Sequence, residues 1–358
     1  MKIGDAGAGL LGRLLAFQLA RAGHEVHVFD PAPHAEARGA AGWTAAGMLS
    51  PVAELECAAE HVFRLGLRSM ELWPQLLAQL AVPVECRFDG NLLLAHRGDE
   101  GAARRVVDLL TSKLSSPGWG DDRHPSDTHS TGLGQPPAAI HSLSPGQLRE
   151  LEPSVRGPAH AWLLPHEGRI HTVQAMQALA ACAEGVQWHW SRTVAATAPG
   201  LVHADDGAHR FDHVFDVRGT GARPQLPVRG VRGEIFWLQA PGLQLTRPLR
   251  LLHPRHRVYL VPRAPDLVVV GASEIESEDR SPVSLRSTVE LLAAAHSVVP
   301  ELAEARIVHS ETNLRPALPD NLPHLASEAG LTRINGLFRH GWLIAPALVE
   351  QALQEIKP

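Results

Sequence analysis

The chain has 358 residues, 44% of them hydrophobic and 20% charged, with a formal net charge of −5 at neutral pH. That length allows two domains around a sizeable core, and the composition is that of an ordinary globular enzyme. The acidic balance argues against a nucleic-acid partner, which requires concentrated positive charge, and no uninterrupted apolar run approaches the roughly 20 residues needed to span a bilayer. Lys2, Lys113 and Lys357 are the only lysines, so nearly all the basic residues are arginine, a composition bias that says little about function. Cys57, Cys86 and Cys182 lie far apart without a CxxC pair, as in a protein of the reducing cytoplasm.

The first thirty residues read strand, glycine turn, helix, strand. Gly7-Ala8-Gly9-Leu10-Leu11-Gly12 opens an apolar helix through about Arg21, Gly23 stops it, and Glu25–Phe29 alternates into a strand ending at Asp30. The stretch Leu10–Ala22 could pass for a signal peptide, but Arg13 and Arg21 interrupt it and no suitable cleavage site follows. The spacing of Leu, Trp and Phe predicts a helix over about Ala53–Leu80, and the Gly-, Pro-, Ser- and Asp-rich Ser112–Pro137 reads as an exposed insertion or mobile loop. Ser144-Pro145-Gly146-Gln147 has the form of a helix start. Thr172–Ala183 then reads as helix, Val186–Ala195 as strand, and Phe211–Val217 as a strand running into Arg218-Gly219-Thr220-Gly221. Gly233–Leu238, Arg257–Pro262 and Leu267–Val270 suggest an antiparallel sheet, followed by a helix over Ser284–Val298. The end reads as strand Thr332–Phe338, a turn hinged at Gly341, Pro346 in a first helical turn, and helix Ala347–Ile356.

The glycine motif has a physical reading. Gly7 permits a tight turn, Gly9 lets backbone approach a pyrophosphate, and Gly12 allows close helix–strand packing, while the helix N-terminus offers free N–H groups to phosphates. Asp30, at the end of the second strand, is placed to accept hydrogen bonds from a ribose diol and would repel a 2′-phosphate. Gly4 and Asp5 interrupt a first strand that should be apolar, where an unpaired carboxylate is costly. The motif alone does not choose between NAD and FAD.

Four segments do choose. Gly42-Trp43-Thr44-Ala45-Ala46-Gly47-Met48-Leu49-Ser50-Pro51, Val258-Tyr259-Leu260-Val261-Pro262-Arg263, Asn313-Leu314-Arg315-Pro316-Ala317-Leu318-Pro319-Asp320 and Asn335 through Pro346 resemble, in order, the motifs of the D-amino-acid oxidase superfamily. They look most like its FAD-dependent glycine oxidases of thiamine thiazole synthesis. The resemblance implies an α/β fold in which a discontinuous Rossmann-like FAD-binding domain carries an inserted antiparallel-sheet substrate domain, the D-amino-acid oxidase or glutathione-reductase-2 type. The expected division is 1–80, 141–222 and 308–358 for FAD, with 81–140 and 223–307 for substrate.

Carried over residue by residue, the resemblance assigns non-covalent FAD contacts to Leu10, Leu11, Asp30, Ala41, Gly42, Ala46, Gly47, Met48 and, through its backbone, Val194. Gly219 and the turn Gly336, Leu337, Phe338, Arg339, His340, Gly341, Trp342 and Leu343 complete the cofactor set. Arg315 is expected to hold a substrate carboxylate, with Arg339 and Tyr259 beside it. A planar guanidinium suits that task because it forms two parallel bonds to a carboxylate. Tyr259 is the only tyrosine in the chain. The N-terminus of the last helix is expected to aim positive potential at the reduced flavin.

Against this, 21 histidines form no Cys/His cluster: His209 and His213 lie in a strand-like stretch, His253 and His256 bracket a turn, and no metal is expected. Trp188-His189-Trp190 reads as strand packing, and His171 stands where many relatives have an acid after the Glu167-Gly168 turn. The expected reaction is oxidative deamination of a small amine or amino acid, glycine before sarcosine or small D-amino acids, with O2 taking the electrons as hydrogen peroxide. A dehydrogenase of the same fold serving another acceptor, a non-catalytic flavin-binding subunit and an NAD-dependent dehydrogenase stay open, as does homo-oligomerisation.

Overall fold

The computed structural model describes residues 1–116, 140–253 and 257–356. Among them, a six-stranded sheet runs in the order His324–Glu328, Leu331–Asn335, His213–Asp216, Lys2–Ala6, Glu25–Asp30 and Gln187–Trp190. Every neighbouring pair is parallel except the outer pair formed by His324–Glu328 and Leu331–Asn335. The helices Leu10–Arg21, Glu60–Leu77 and Gly341–Glu355 cover one face with a shared apolar core that includes Leu14, Leu15, Phe17, Trp73 and Ile344. On the opposite face Gly4 makes room for a ring, since a Cβ there would come within 2.4 Å of Phe211. The glycine that looked out of place in a buried strand is therefore a packing device.

An eight-stranded sheet forms the second layer, in the order Arg306–Ala317, Arg229–Gln239, Leu267–Gly271, Arg257–Arg263, Leu249–Leu252, Asn91–Ala95, His160–Leu164 and His141–Leu143. Its pairs are antiparallel apart from Leu249–Leu252 with Asn91–Ala95. Both faces are covered, which is why Leu92-Leu93-Leu94-Ala95 is apolar without alternation. Leu92 and Leu94 join the core under helix Leu285–Val298, whereas Leu93 and Ala95 join the core under helix Glu100–Ser115. The architecture is the expected α/β one, with an antiparallel layer inserted between parts of a largely parallel sheet.

Several expectations need correction. The helix expected over Ala53–Leu80 is two helices, Pro51–Glu54 and Glu60–Leu77, separated by a turn. Val186–Ala195 is not one strand: Ser191 adopts φ of 56° and donates its N–H to the Ala32 carbonyl, so Gln187–Trp190 joins the parallel sheet while Val194–Ala198 joins a separate three-stranded sheet. Helix Glu100–Ser115 runs into the segment read as a loop from Ser112, and the remainder of that segment from residue 117 lies outside the described residues, as does His256. The expected domain division is also crossed by hydrogen bonding. His141–Leu143, His160–Leu164 and Arg306–Ala317 pair within the eight-stranded sheet rather than the parallel one. The Ser144 capping box is present as read.

The last helix shows how tertiary contacts override local rules. It begins at Gly341, so Gly341 is its first residue rather than a hinge outside it, and Pro346 lies inside it rather than in its first turn. Proline cannot donate to the carbonyl four residues back, which is that of Trp342. That carbonyl instead accepts from Trp73 Nε1 at 2.9 Å, and the next N–H, of Ala347, donates to Ser69 Oγ at 3.1 Å. Both partners come from helix Glu60–Leu77, and Trp73 also stacks on Trp342 at 5.5 Å. Trp73→Phe should therefore cost about 1–3 kcal/mol for the orphaned carbonyl, beyond the loss of ring contact. In a denaturant-melt double-mutant cycle the cost should shrink in a Pro346→Ala background, where the helix supplies its own donor.

Candidate active site

The carboxyl ends of four parallel strands, at Ala6, Asp30, Asp216 and Asn335, meet along one line, the place where open α/β sheets bind ligands. A cleft of about 1220 Å³ opens there and extends to the eight-stranded sheet. It exceeds the usual 300–1,000 Å³ of small-molecule sites, so a dinucleotide and a small substrate can share it.

The glycine turn forms its floor. Gly7 has φ of +113°, and its N–H donates to the Phe29 carbonyl at 2.9 Å. Gly12 faces the Gly7 carbonyl so closely that a Cβ would lie 1.8 Å from that oxygen. Gly9 ends the helix without a side-chain cap, and a Cβ there would meet only Ala40, at 3.7 Å, leaving the first-turn N–H groups of Leu10 and Leu11 open to the cleft. Asp30 is already engaged: its oxygens accept from Ala8 N at 2.6 Å and Ala32 N at 2.8 Å, so it braces the turn as well as lining the cleft. Arg13, read in sequence only as an interruption, is buried beneath the turn. It donates to the carbonyls of Ala8, Met176 and Ala35 and lies 5.1 Å from the Trp43 ring. At the same end Val194 is buried, and its carbonyl accepts from Arg218 Nη1 at 2.9 Å. Gly219, at φ of 56°, lies beside it in the cleft wall.

Ala41, Gly42, Ala46, Gly47 and Met48 line the middle of the cleft. Gly42 packs against Leu10 and Met176, where a Cβ would sit 3.3 Å from each. Gly47 has φ of +71° and its absent Cβ would clash with the Ile170 carbonyl at 2.1 Å. Buried Arg263 holds this crossing by donating to the carbonyls of Ala46 and Ile170, and burial lowers its guanidinium to about 9. His171 serves as the N-cap of helix Thr172–Ala181, accepting from Gln174 N. Burial pushes it down to about 4, so a neutral ring does the capping work an acid would do. Gly336, at φ of +73°, starts the turn that carries Leu337, Phe338, Arg339 and His340 into Gly341, Trp342 and Leu343. Phe338 N donates to the Pro316 carbonyl at 2.9 Å and Trp342 Nε1 to the Gly42 carbonyl at 3.0 Å, which ties this turn to both other walls.

The far end brings Tyr259, Arg315 and Arg339 together. Each lies on a different element, and burial raises the Tyr259 phenol while Arg315 and Arg339 pull the other way. Two glycines make room: Cβ atoms on Gly271 and Gly233 would lie 2.7 Å from the Tyr259 hydroxyl and 2.5 Å from Arg315 Nη2. Arg315 donates to the Ser273 carbonyl at 3.0 Å and the Arg232 carbonyl at 3.4 Å, and it has no ion pair among the described residues. Arg339 differs. Its Nε lies 3.1 Å from Glu54 Oε2 and its Nη1 3.4 Å from Glu274 Oε2, so its charge is already answered.

Glu54 escaped the sequence reading, although it closes the short helix that follows the Gly42–Pro51 motif. It also meets His340 Nδ1 at 3.2 Å and Arg250 Nη1 at 3.4 Å. Burial would raise its carboxyl, but Arg339, His340 and Arg250 hold it well below the usual range. Behind it, buried Glu167 accepts from Ala53 N and Asn91 and is pushed up to about 7 by burial. Among the described residues, no group of three or more His, Cys, Asp or Glu could hold a metal, and no helix is long and apolar enough to cross a membrane.

A family model described as DAO, FAD dependent oxidoreductase, matches residues 6–352. The chain belongs to that family. A Rhizobium etli protein named as a thiamine biosynthesis oxidoreductase, ThiO, is 34% identical over 99% of this chain and 96% of its own length. A glycine oxidase of Geobacillus kaustophilus is 26% identical over 95% of this chain and 88% of its own length. The crystal structure of glycine oxidase from Geobacillus kaustophilus superposes with a TM-score of 0.82 over 98% of this chain and 93% of that one, at 24% identity. The cofactor is FAD, and the glycine cradle, the open helix end and the size of the cleft fit it.

Glu54→Gln should leave Arg250 with Glu56 and Arg339 with Glu274 as their remaining carboxylates and cost about 1–3 kcal/mol for the lost charged partner. Because the folded carboxyl lies below its unfolded value, the wild-type contribution is present at neutral pH and is lost only as pH falls through that depressed value. Melts of both proteins at falling pH should therefore converge in acid.

Proposed function

We propose that this chain uses FAD to oxidise the carbon–nitrogen bond of a small amino acid, glycine above all, with sarcosine or a small D-amino acid as further substrates. The observation that carries the reading is Arg315, a guanidinium walled into the cleft whose partners among the described residues are two backbone carbonyls and no carboxylate. A substrate carboxylate is the complement it lacks, and a bidentate pair there fixes orientation as well as affinity. Tyr259 stands beside it with a phenol kept protonated by burial, able to donate to the same carboxylate. Arg339, held by Glu54 and Glu274, then shapes the wall instead of taking a second carboxylate.

Bound FAD supplies the hydride acceptor for this chemistry. The chain's part is positioning: Arg315 and Tyr259 anchor one end of the substrate so that its α-carbon faces the middle of the cleft. The α-amino group sheds its proton before oxidation, and no side-chain base acting on carbon is required. The start of helix Gly341–Glu355 at the cleft wall supports favourable positive potential there. The relatives named for glycine oxidation and thiamine biosynthesis support glycine as substrate and an imine product that either hydrolyses or feeds thiazole synthesis. Reoxidation by O2 to hydrogen peroxide, a cytoplasmic setting, and the assignment of 1–80, 141–222 and 308–358 to the cofactor side, apart from the three strands of those ranges that pair in the eight-stranded sheet, belong to the same proposal.

Anaerobic titration with a panel of small amines should bleach the flavin absorbance with glycine and leave it unchanged with amines lacking a carboxylate. Arg315→Ala should lower kcat/KM for glycine on the order of 100-fold, chiefly through KM, and Arg315→Lys should recover only part of it. Unchanged glycine kinetics in Arg315→Ala, with peroxide still formed, would rule out the carboxylate anchor.

A further inference from the structure

One carboxyl in the cofactor half takes no part in the bonds described so far. Asp5 is fully buried on the helix-facing side of strand Lys2–Ala6, and neither of its oxygens has a hydrogen-bond partner among the described residues. Ile3, two residues earlier on the same face, packs in the apolar core. The Asp5 Oδ2 atom lies 3.3 Å from where a Gly12 Cβ would be, so the carboxyl sits directly under the glycine turn.

The charged groups around it do not compensate. Asp216, from the strand on one side, is held by Arg218 at 2.7 Å and by the Thr197 hydroxyl at 2.7 Å. Asp30, from the strand on the other side, is held by two backbone N–H groups. Arg13, on the helix above, is turned towards three carbonyls. Burial, and then repulsion from Asp216 and Asp30, keep the Asp5 acid well above its ordinary range. An ionised Asp5 would add negative charge beneath the turn whose N–H groups are suited to a pyrophosphate.

We propose that the buried, unpartnered carboxyl of Asp5 under the glycine turn couples cofactor binding to pH, its ionisation weakening FAD binding so that cofactor retention falls as pH rises. This rests on the family's cofactor lying over that turn. Linkage is reciprocal: if ionisation loosens FAD, FAD binding must draw a proton onto Asp5 wherever the apoprotein has lost it. A carboxyl raised in the folded state contributes stability that is complete below its unfolded value, near about 3.9, and is lost as pH rises towards the folded value.

The test is titration of the apoprotein with FAD, followed by flavin fluorescence, from about pH 6 to about pH 10 for wild type, Asp5→Asn and Asp5→Val. The wild-type Kd should rise on the order of tenfold across the range, while both variants stay flat. Calorimetry of wild type in two buffers of different ionisation heat should show proton uptake on FAD binding at the alkaline end. This needs no variant to fold. Equal pH slopes in all three proteins, or no proton uptake, would overturn the proposal. Thermal melts should show Asp5→Val losing less stability than wild type as pH rises, and parallel loss would count against it. Failure of wild type to bind FAD even at neutral pH would instead remove the cofactor placement on which the proposal rests.

Discussion

Everything in this protein depends on backbone meeting backbone at the glycine turn. Gly12 approaches the Gly7 carbonyl more closely than any side chain allows, and that approach seats helix Leu10–Arg21 on strand Lys2–Ala6. With the helix seated there, its open N-terminal end points into the space beyond the strand ends. Asp30 and Arg13 then brace the turn from either side through backbone N–H groups and carbonyls. This end of the cleft is thus built mostly from peptide groups, which is why so many of its lining residues are Gly and Ala.

The opposite end of the cleft follows a different rule. Arg250, Arg315 and Arg339 crowd a poorly solvated space, and such charges are tolerable only when answered. Glu56 and Glu54 answer Arg250, and Glu54 and Glu274 answer Arg339. Among the described residues Arg315 has only carbonyls, which satisfy hydrogen-bond geometry without cancelling charge. The imbalance is local and specific: one positive site with room before it, beside a tyrosine whose hydroxyl is sheltered. The Gly233 and Gly271 gaps that admit these two side chains belong to the antiparallel layer, so that layer contributes shape through what it omits.

Much of this is legible in the sequence alone. The strand–turn–helix start, the antiparallel middle, the Ser144 capping box and the four family motifs all rest on local pattern. What escaped reading was non-local. Glu54 lies in a four-residue helix with no periodicity to mark it, and its partners Arg250, Arg339 and His340 come from about 200 residues or more downstream. Arg13 and Arg263 look like ordinary arginines in sequence, yet each is buried against carbonyls of segments far along the chain. The break at Ser191 and the strand-by-strand exchange between sheets had no turn residue strong enough to announce them.

The sequence alone determined the glycine turn and its acid, the apolar faces of the helices, and the residue types able to bind a dinucleotide and a carboxylate, because these follow from short-range spacing and side-chain chemistry. Only the tertiary structure decided which arginine is left with charge to offer, because ion pairing is settled between distant segments. It alone showed that helix Gly341–Glu355 runs through Pro346 with donors lent by Ser69 and Trp73. It also turned Asp5 from an oddity of the first strand into a buried acid without a hydrogen-bond partner among the described residues, since burial and counter-charge are properties of a packed interior and are not written in any single stretch of chain.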